Sequence, residues 1–324
     1  MRGVSVFLEM YQIILYYQFS PIDPDKLEMF CRVHHNTCQQ LKLLGRVFLA
    51  SEGINGTLCG TPKEIEEYKK FLCSMKGFES TEFKQESSET MPFERLIVRA
   101  RPEIVALKPP IAISSKIGGE GYLEPDQWRA AMESPVKDYI LIDVRNNYES
   151  RIGRFKGAIA PDVENFYDFP KWLRNENIDK SKKILMYCTG GIRCEKFSSY
   201  MKQEGFNDIH QLHGGIINYA QKEGGKHFEG KCFVFDDRMA VPVNPQENGP
   251  ISCCEISGVP CDTYINCANM VCNKLFICDR EAAIKMEGCC SEECKQSPRR
   301  RPLDIEQLYK PFRRWYKYFP EKKS

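Results

Sequence analysis

The stretch Ile184-Leu185-Met186-Tyr187-Cys188-Thr189-Gly190-Gly191-Ile192-Arg193-Cys194-Glu195-Lys196 decides the fold of the middle of the chain. Its apolar run, Ile184 to Tyr187, is bounded by turn signals and predicts a short buried strand. Gly190 and Gly191 let the backbone curl tightly. From Glu195 to Met201 the sequence suits an amphipathic helix. Strand, tight loop and helix in this order place the Cys188 sulfur at the carboxyl edge of a parallel sheet, where α/β proteins hold ligands.

That placement has an electrostatic consequence. A free thiol titrates near ~8.5 and is mostly protonated in the cell. Successive N–H groups in a tight loop form an anion nest, and the following helix adds its positive end. Arg193 follows Cys188 closely and contributes a full charge. All three favour thiolate, so Cys188 and Arg193 are the candidate catalytic residues. Thr189, Gly190, Gly191 and Ile192 form the loop that carries them.

Working outward, Tyr139 to Ile142 is a continuous apolar run, as expected of a strand covered on both faces. Asp143 and Arg145 follow at the same sheet edge, and read as an ion pair that pins the loops rather than as chemistry. Phe166, Tyr167, Phe169 and Trp172 are mostly core. Ile209 to Leu212 predicts a last strand, and Gly214-Gly215 opens a helix through Tyr219. Lys226 to Arg238 are expected to return to the sheet edge, with Asp236, Asp237 and Arg238 in a salt-linked turn near the loop.

Toward the N-terminus, Ile13 to Tyr17 reads as a strand. Pro21 and Pro24 open a helix bearing Leu27, Phe30, Cys31, His34 and Cys38, ended by Gly45, with His34 and His35 expected at its surface. Arg46 to Ala50 predicts a strand, Gly53 to Gly56 a turn, and Thr57 to Cys59 the start of another strand. Thr61, Pro62 and Glu64 are cap, first position and first turn of a helix to about Met75. Strands near Phe78–Phe83 and Arg95–Ala100 complete a βαββαβ, ferredoxin-like pattern.

The 324 residues leave room for two or three domains. With 28% charged and 42% hydrophobic residues, the composition is that of an ordinary globular protein. The formal charge of +2 makes no case for nucleic acid, but its distribution does. From Lys295 to Ser324 there are ten Lys/Arg against three Asp/Glu, which leaves the rest net acidic. In that tail Arg299, Arg300, Arg301, Arg313 and Arg314 are interleaved with aromatic residues including Trp315, a composition suited to single-stranded RNA loops. The other reading is a solvated tail whose aromatics dock on the protein itself. No run reaches the ~20 apolar residues of a membrane span, no secretory signal is recognisable, and a cytoplasmic location is expected.

Nine of the sixteen cysteines lie between Cys253 and Cys294. A cluster this dense in a reducing compartment points to a structural metal, most often zinc held by four thiolates, with free or disulfide-linked cysteines as the alternative. Cys267-x4-Cys272 and Cys290-x3-Cys294 are near-pairs of suitable spacing.

Cys-x4-Arg after a strand resembles the active-site loop of the rhodanese family, and Asp143-Val144-Arg145 with Glu149 resembles that family's strand end. The ordered set Ser51-Glu52-Gly53-Ile54-Asn55-Gly56, the Cys188 loop, His213-Gly214-Gly215-Ile216, Phe235-Asp236-Asp237-Arg238 and Asn266-Cys267-Ala268-Asn269 is narrower. It resembles the oxygen-dependent tRNA uridine 34 hydroxylase family from about Tyr11 to about Pro302.

The resemblance implies a multi-domain α/β protein. Residues 1–105 form a ferredoxin-like α+β domain, 106–120 a linker, 121–245 a rhodanese α/β domain with a parallel sheet, and 246–324 a Cys-rich region with a basic-aromatic tail. It implies hydroxylation of wobble uridine 34 to 5-hydroxyuridine, with O2 as co-substrate, the tRNA anticodon loop as partner, and no membrane or DNA partner. No organic cofactor site is recognisable for the chemistry. Glu52 and Asn55 become candidates for shaping the substrate surface. The resemblance also implies a Cys-x-x-Cys pair starting at Cys254, but Ser257 stands at its second position, so Cys261 is the substitute ligand in a set of Cys254, Cys261, Cys267, Cys272, Cys290 and Cys294. A persulfide-carrying sulfurtransferase is the alternative, because the same loop stabilises a persulfide.

Overall fold

The computed structural model describes residues 10–108, 121–246 and 249–312. The N-terminal domain is built from β1 (Tyr11–Phe19), α1 (Leu27–Gln40), β2 (Leu44–Ala50), β3 (Gly53–Gly60), α2 (Pro62–Cys73), β4 (Phe83–Ser88) and β5 (Leu96–Ala100). Its sheet runs β4-β1-β3-β2-β5, antiparallel except for β2 with β5. The first four strands and two helices make the ferredoxin-like pattern, and β5 extends its edge. Thr61 and Glu64 close a reciprocal capping box at the start of α2.

Four local expectations fail here for identifiable reasons. Gly45 does not stop α1; it lies inside β2, where a β-carbon would fall 2.2 Å from the Thr57 carbonyl oxygen. Gly53 and Gly56 are strand residues, not a turn: a β-carbon on Gly56 would meet the Tyr16 ring at 2.3 Å. Both glycines mark close strand approach rather than reversal. Phe78 is core, 1% exposed, and the strand starts only at Phe83. His34 is fully buried rather than on the surface; its Nδ1 faces the Tyr68 hydroxyl at 3.3 Å, and burial pushes its pKa down to about 4.

The central domain comprises β6 (Tyr122–Leu123), α3 (Pro125–Glu133), β7 (Tyr139–Asp143), α4 (Asn147–Ser150), β8 (Gly153–Phe155), α5 (Phe169–Asn175), β9 (Lys183–Tyr187), α6 (Ile192–Gln203), β10 (Ile209–Leu212) and α7 (Gly215–Glu223). Its sheet is all parallel, in the order β6-β10-β9-β7. Ile142, Ile184 and Met186 pack with Phe169 and Phe197 on one face, while Leu141, Leu185 and Tyr187 pack with Trp128 and Tyr219 on the other. Burial of both faces explains why these strands read as unbroken apolar runs.

Beyond α7, the chain does not rejoin the parallel sheet as expected of Lys226–Arg238. Instead β11 (Phe228–Phe233) pairs antiparallel with β8 and with β12 (Ala240–Pro242). The cysteine-rich region follows with β13 (Tyr264–Asn266), β14 (Leu275–Ile277), α8 (Arg280–Lys285) and α9 (Glu292–Lys295). Among the described residues, no helix is long and apolar enough to cross a membrane.

Candidate active site

Cys188 is the first residue beyond β9, at the carboxyl edge of the parallel sheet. The Gly191 N–H donates to its sulfur at 3.1 Å, and the backbone amides of Arg193 and Cys194 add to the field that favours the anion. The neighbouring Cys194 thiol favours the same sulfur as an anion. Burial pushes the Cys188 thiol up. The Cys194 hydrogen bond, the Arg193 charge and the loop amides outweigh that effect and hold it at about 5. Cys188 is therefore a thiolate at neutral pH, although only 1% of it is exposed. It reaches space through a cavity of about 320 Å³.

That cavity lies between the two folded domains. Thr189, Gly190, Ile192 and Arg193 line it on one side, and Leu15, Tyr17, Arg46, Phe48 and Asn55 of the N-terminal sheet on the other. Phe166, Tyr148 and Phe235 complete an aromatic wall. The loop glycines have a concrete purpose in this contact. A β-carbon on Gly190 would lie 2.6 Å from Leu15, and one on Gly191, whose φ is +106°, would lie 2.7 Å from the Tyr17 hydroxyl.

Arg193 reaches the site differently from the sequence expectation. Its guanidinium grips Glu149, with Nη2 donating to Oε1 at 2.8 Å, while the Thr189 hydroxyl donates to the same carboxylate at 3.3 Å. Arg193 thus acts on Cys188 through its charge and through loop geometry, not as a free anion clamp. Glu149 is the residue that reading single motifs missed; it stood in the quoted rhodanese-like segment without a role. Asp143 and Arg145 form a second pair, wholly buried, with Nε to Oδ1 at 2.9 Å. Arg145 also holds the Gly153 carbonyl at 2.6 Å, and the Tyr187 hydroxyl donates to Asp143 at 2.8 Å. This pair braces the strand ends and does not line the cavity.

The two residues after Cys194 bind the domains together. Glu195 accepts from Tyr17 at 2.9 Å, Tyr122 at 2.6 Å and Gln211 at 3.2 Å. Burial pushes its carboxyl up against those donors. Lys196, fully buried, pairs with Glu52 at 2.9 Å and with Glu103. Glu52 also accepts from the Ile104 N–H at 2.8 Å, and Asn55 donates to the Ile104 carbonyl at 3.1 Å. The Ser51–Gly56 segment is therefore chiefly the socket for the helix that follows the Cys188 loop, with Asn55 also reaching the cavity. Asp236 and Arg238 form the expected salt-linked turn, with Nε to Oδ1 at 2.9 Å, and Arg238 also reaches Glu86 at 2.9 Å.

The six-cysteine metal set contracts to four. The sulfurs of Cys267, Cys272, Cys290 and Cys294 lie within 4.8 Å of one another. Cys254 and Cys261 stand apart: the Cys254 sulfur accepts from the Ser257 N–H at 3.3 Å, and Cys261 faces the Thr263 hydroxyl at 3.2 Å. Of the basic residues read as RNA contacts, Arg300 pairs with Glu287. Arg301 donates to the carbonyls of Cys267 and Asn266, both at 2.7 Å. The Arg299 carbonyl accepts from the Met270 N–H at 3.1 Å. Arg313, Arg314 and Trp315 lie outside the described residues.

Three family models match the chain in order: a UPF0176 acylphosphatase-like domain over residues 11–104, a rhodanese-like domain over 124–222 and a rhodanese C-terminal domain over 229–295. A Cytophaga hutchinsonii protein named tRNA uridine(34) hydroxylase is 44% identical over 295 residues, 91% of this chain and 93% of its own length. A Bacillus cereus protein of the same name is 43% identical over 90% of this chain and 91% of its own. At that identity over nearly the whole of both chains, with the thiolate loop in place, this chain belongs to the tRNA uridine(34) hydroxylase family.

Proposed function

We infer that this protein hydroxylates uridine 34 in the tRNA anticodon loop at C5, with dioxygen as oxidant and Cys188 as nucleophile, in the cytoplasm. The observation that carries the chemistry is the Cys188 thiolate on the floor of an aromatic-walled cavity. Phe48, Tyr17 and Phe166 offer faces for a flipped-out pyrimidine. The volume is of the scale that takes one small ligand.

The thiolate adds to C6 of the uracil ring, and the electron pair of the C5–C6 double bond moves to C5 as an enolate. That carbon reacts with O2 to give a C5 hydroperoxide. Loss of the C5 proton and departure of the Cys188 thiolate from C6 restore the ring. Two electrons from a dithiol then cleave the O–O bond, leaving one oxygen as the 5-hydroxyl and the other as water. A thiol held at about 5 is suited to both ends of this sequence, since it attacks as an anion and leaves as one.

Nucleoside mass spectrometry of tRNA tests the reading. Cells lacking the protein should lose 5-hydroxyuridine derivatives, wild-type protein should restore them and Cys188→Ser should not. Restoration by Cys188→Ser at the wild-type rate defeats it. The loop is equally suited to a persulfide, so the sulfurtransferase alternative is examined by intact mass after thiosulfate. A stable one-sulfur adduct on Cys188, with no tRNA phenotype, would favour that reading.

A further inference from the structure

The four cysteines of the C-terminal region form a cage whose dimensions are informative. Cys272 and Cys290 sulfurs are 3.7 Å apart, and Cys290 and Cys294 sulfurs 3.8 Å. Zinc–thiolate bonds of ~2.3 Å in a regular tetrahedron put neighbouring sulfurs ~3.8 Å apart. Each near-pair comes from a different piece of chain: Cys267 and Cys272 bracket the β13–β14 turn, and Cys290 and Cys294 bracket the start of α9. Two N–H groups are aimed at the sulfurs from outside, Cys290 N–H to Cys267 and Asn269 Nδ2 to Cys294, both at 3.4 Å. Such donors orient thiolate ligands and spread their charge. A cage of four sulfurs with no carboxylate or imidazole suits zinc or iron–sulfur chemistry, and a single ion fits four converging sulfurs.

We propose that Cys267, Cys272, Cys290 and Cys294 bind one zinc ion as a closed structural site. Zinc displaces the thiol protons and no electrons move. The closed coordination leaves no position for substrate, so the role is to tie the hairpin to α9. The knot also fixes the start of the basic segment, because Asn269 accepts from Ser297 at 3.1 Å and bridges Arg300.

Metal analysis of the full-length protein should find about one zinc per chain. Mercurial titration should release it, and Cys290→Ser should lower it to near zero while the exposed Cys253→Ser leaves it unchanged. If Cys290→Ser fails to fold, cobalt exchange into the wild type keeps the question open to refutation, since a tetrathiolate gives intense sulfur-to-metal absorption. Absence of metal from protein made in zinc-supplemented medium, iron in its place, or full zinc content in a soluble Cys290→Ser protein would each overturn the proposal.

Discussion

Cys188 and the Cys267 cage are two sulfur sites built on opposite plans. Around Cys188, the Gly191 N–H, the loop amides, the neighbouring Cys194 thiol and the charge of Arg193 favour one sulfur as an anion and hold it at about 5. In the cage, four sulfurs converge mainly on each other, and each of two receives one donated N–H. The lesson is that neighbours, not the residue type, decide what a cysteine does. A lone anion facing a cavity can attack carbon, whereas four sulfurs facing inward are placed to share a cation. The same contrast separates the two buried arginine pairs: Arg145–Asp143 braces strand ends, while Arg193–Glu149 lies beside the sulfur and lines the cavity through Arg193.

The strongest way to break the comparison is to exchange sulfur for oxygen at Cys188. Cys188→Ser should lose hydroxylation by at least about a thousandfold, with the thermal unfolding midpoint little changed, as measured by 5-hydroxyuridine formation and calorimetry. Glu149→Ala comes next: it leaves the Arg193 charge buried without its partner and should destabilise the fold by about 3–5 kcal/mol in denaturant titration. Gly191→Ala, at φ +106° and against the Tyr17 hydroxyl, should cost about 1–3 kcal/mol.

The pH dependence sharpens the contrast further. Alkylation of Cys188 by iodoacetamide should rise through pH about 5 and then level, because the thiolate is the reacting form. The folded value of about 5 lies below that of a free thiol, so the associated stability is complete above the free-thiol range and falls away as pH drops through about 5. A midpoint near the ordinary value would remove the case for a preformed nucleophile. Smallest of all, Cys253→Ser, exposed and outside both sites, should change stability by no more than about 0.5 kcal/mol.

Much of the site was legible because its signals are local. An apolar run, two glycines and an arginine within one short stretch specify strand, loop and helix, and the sulfur's place at the sheet edge follows. What escaped depended on partners far along the chain. Glu149 meets Arg193 across 44 positions, and Lys196 meets Glu103 across 93. Gly53 to Gly56 read as a turn because glycines often mark turns, yet these glycines answer to strands lying close beside them.

Backbone preferences and apolar patterning over a few residues specify the thiolate loop, the apolar strands beneath it and the capped helix of the N-terminal domain. Which four cysteines meet, the tie between Arg193 and Glu149, and the roofing of the Cys188 cavity by the N-terminal sheet emerge with the assembled fold. Those outcomes depend on distances between segments remote in the chain, where attraction between charges and sulfurs acts only after the core has brought them together.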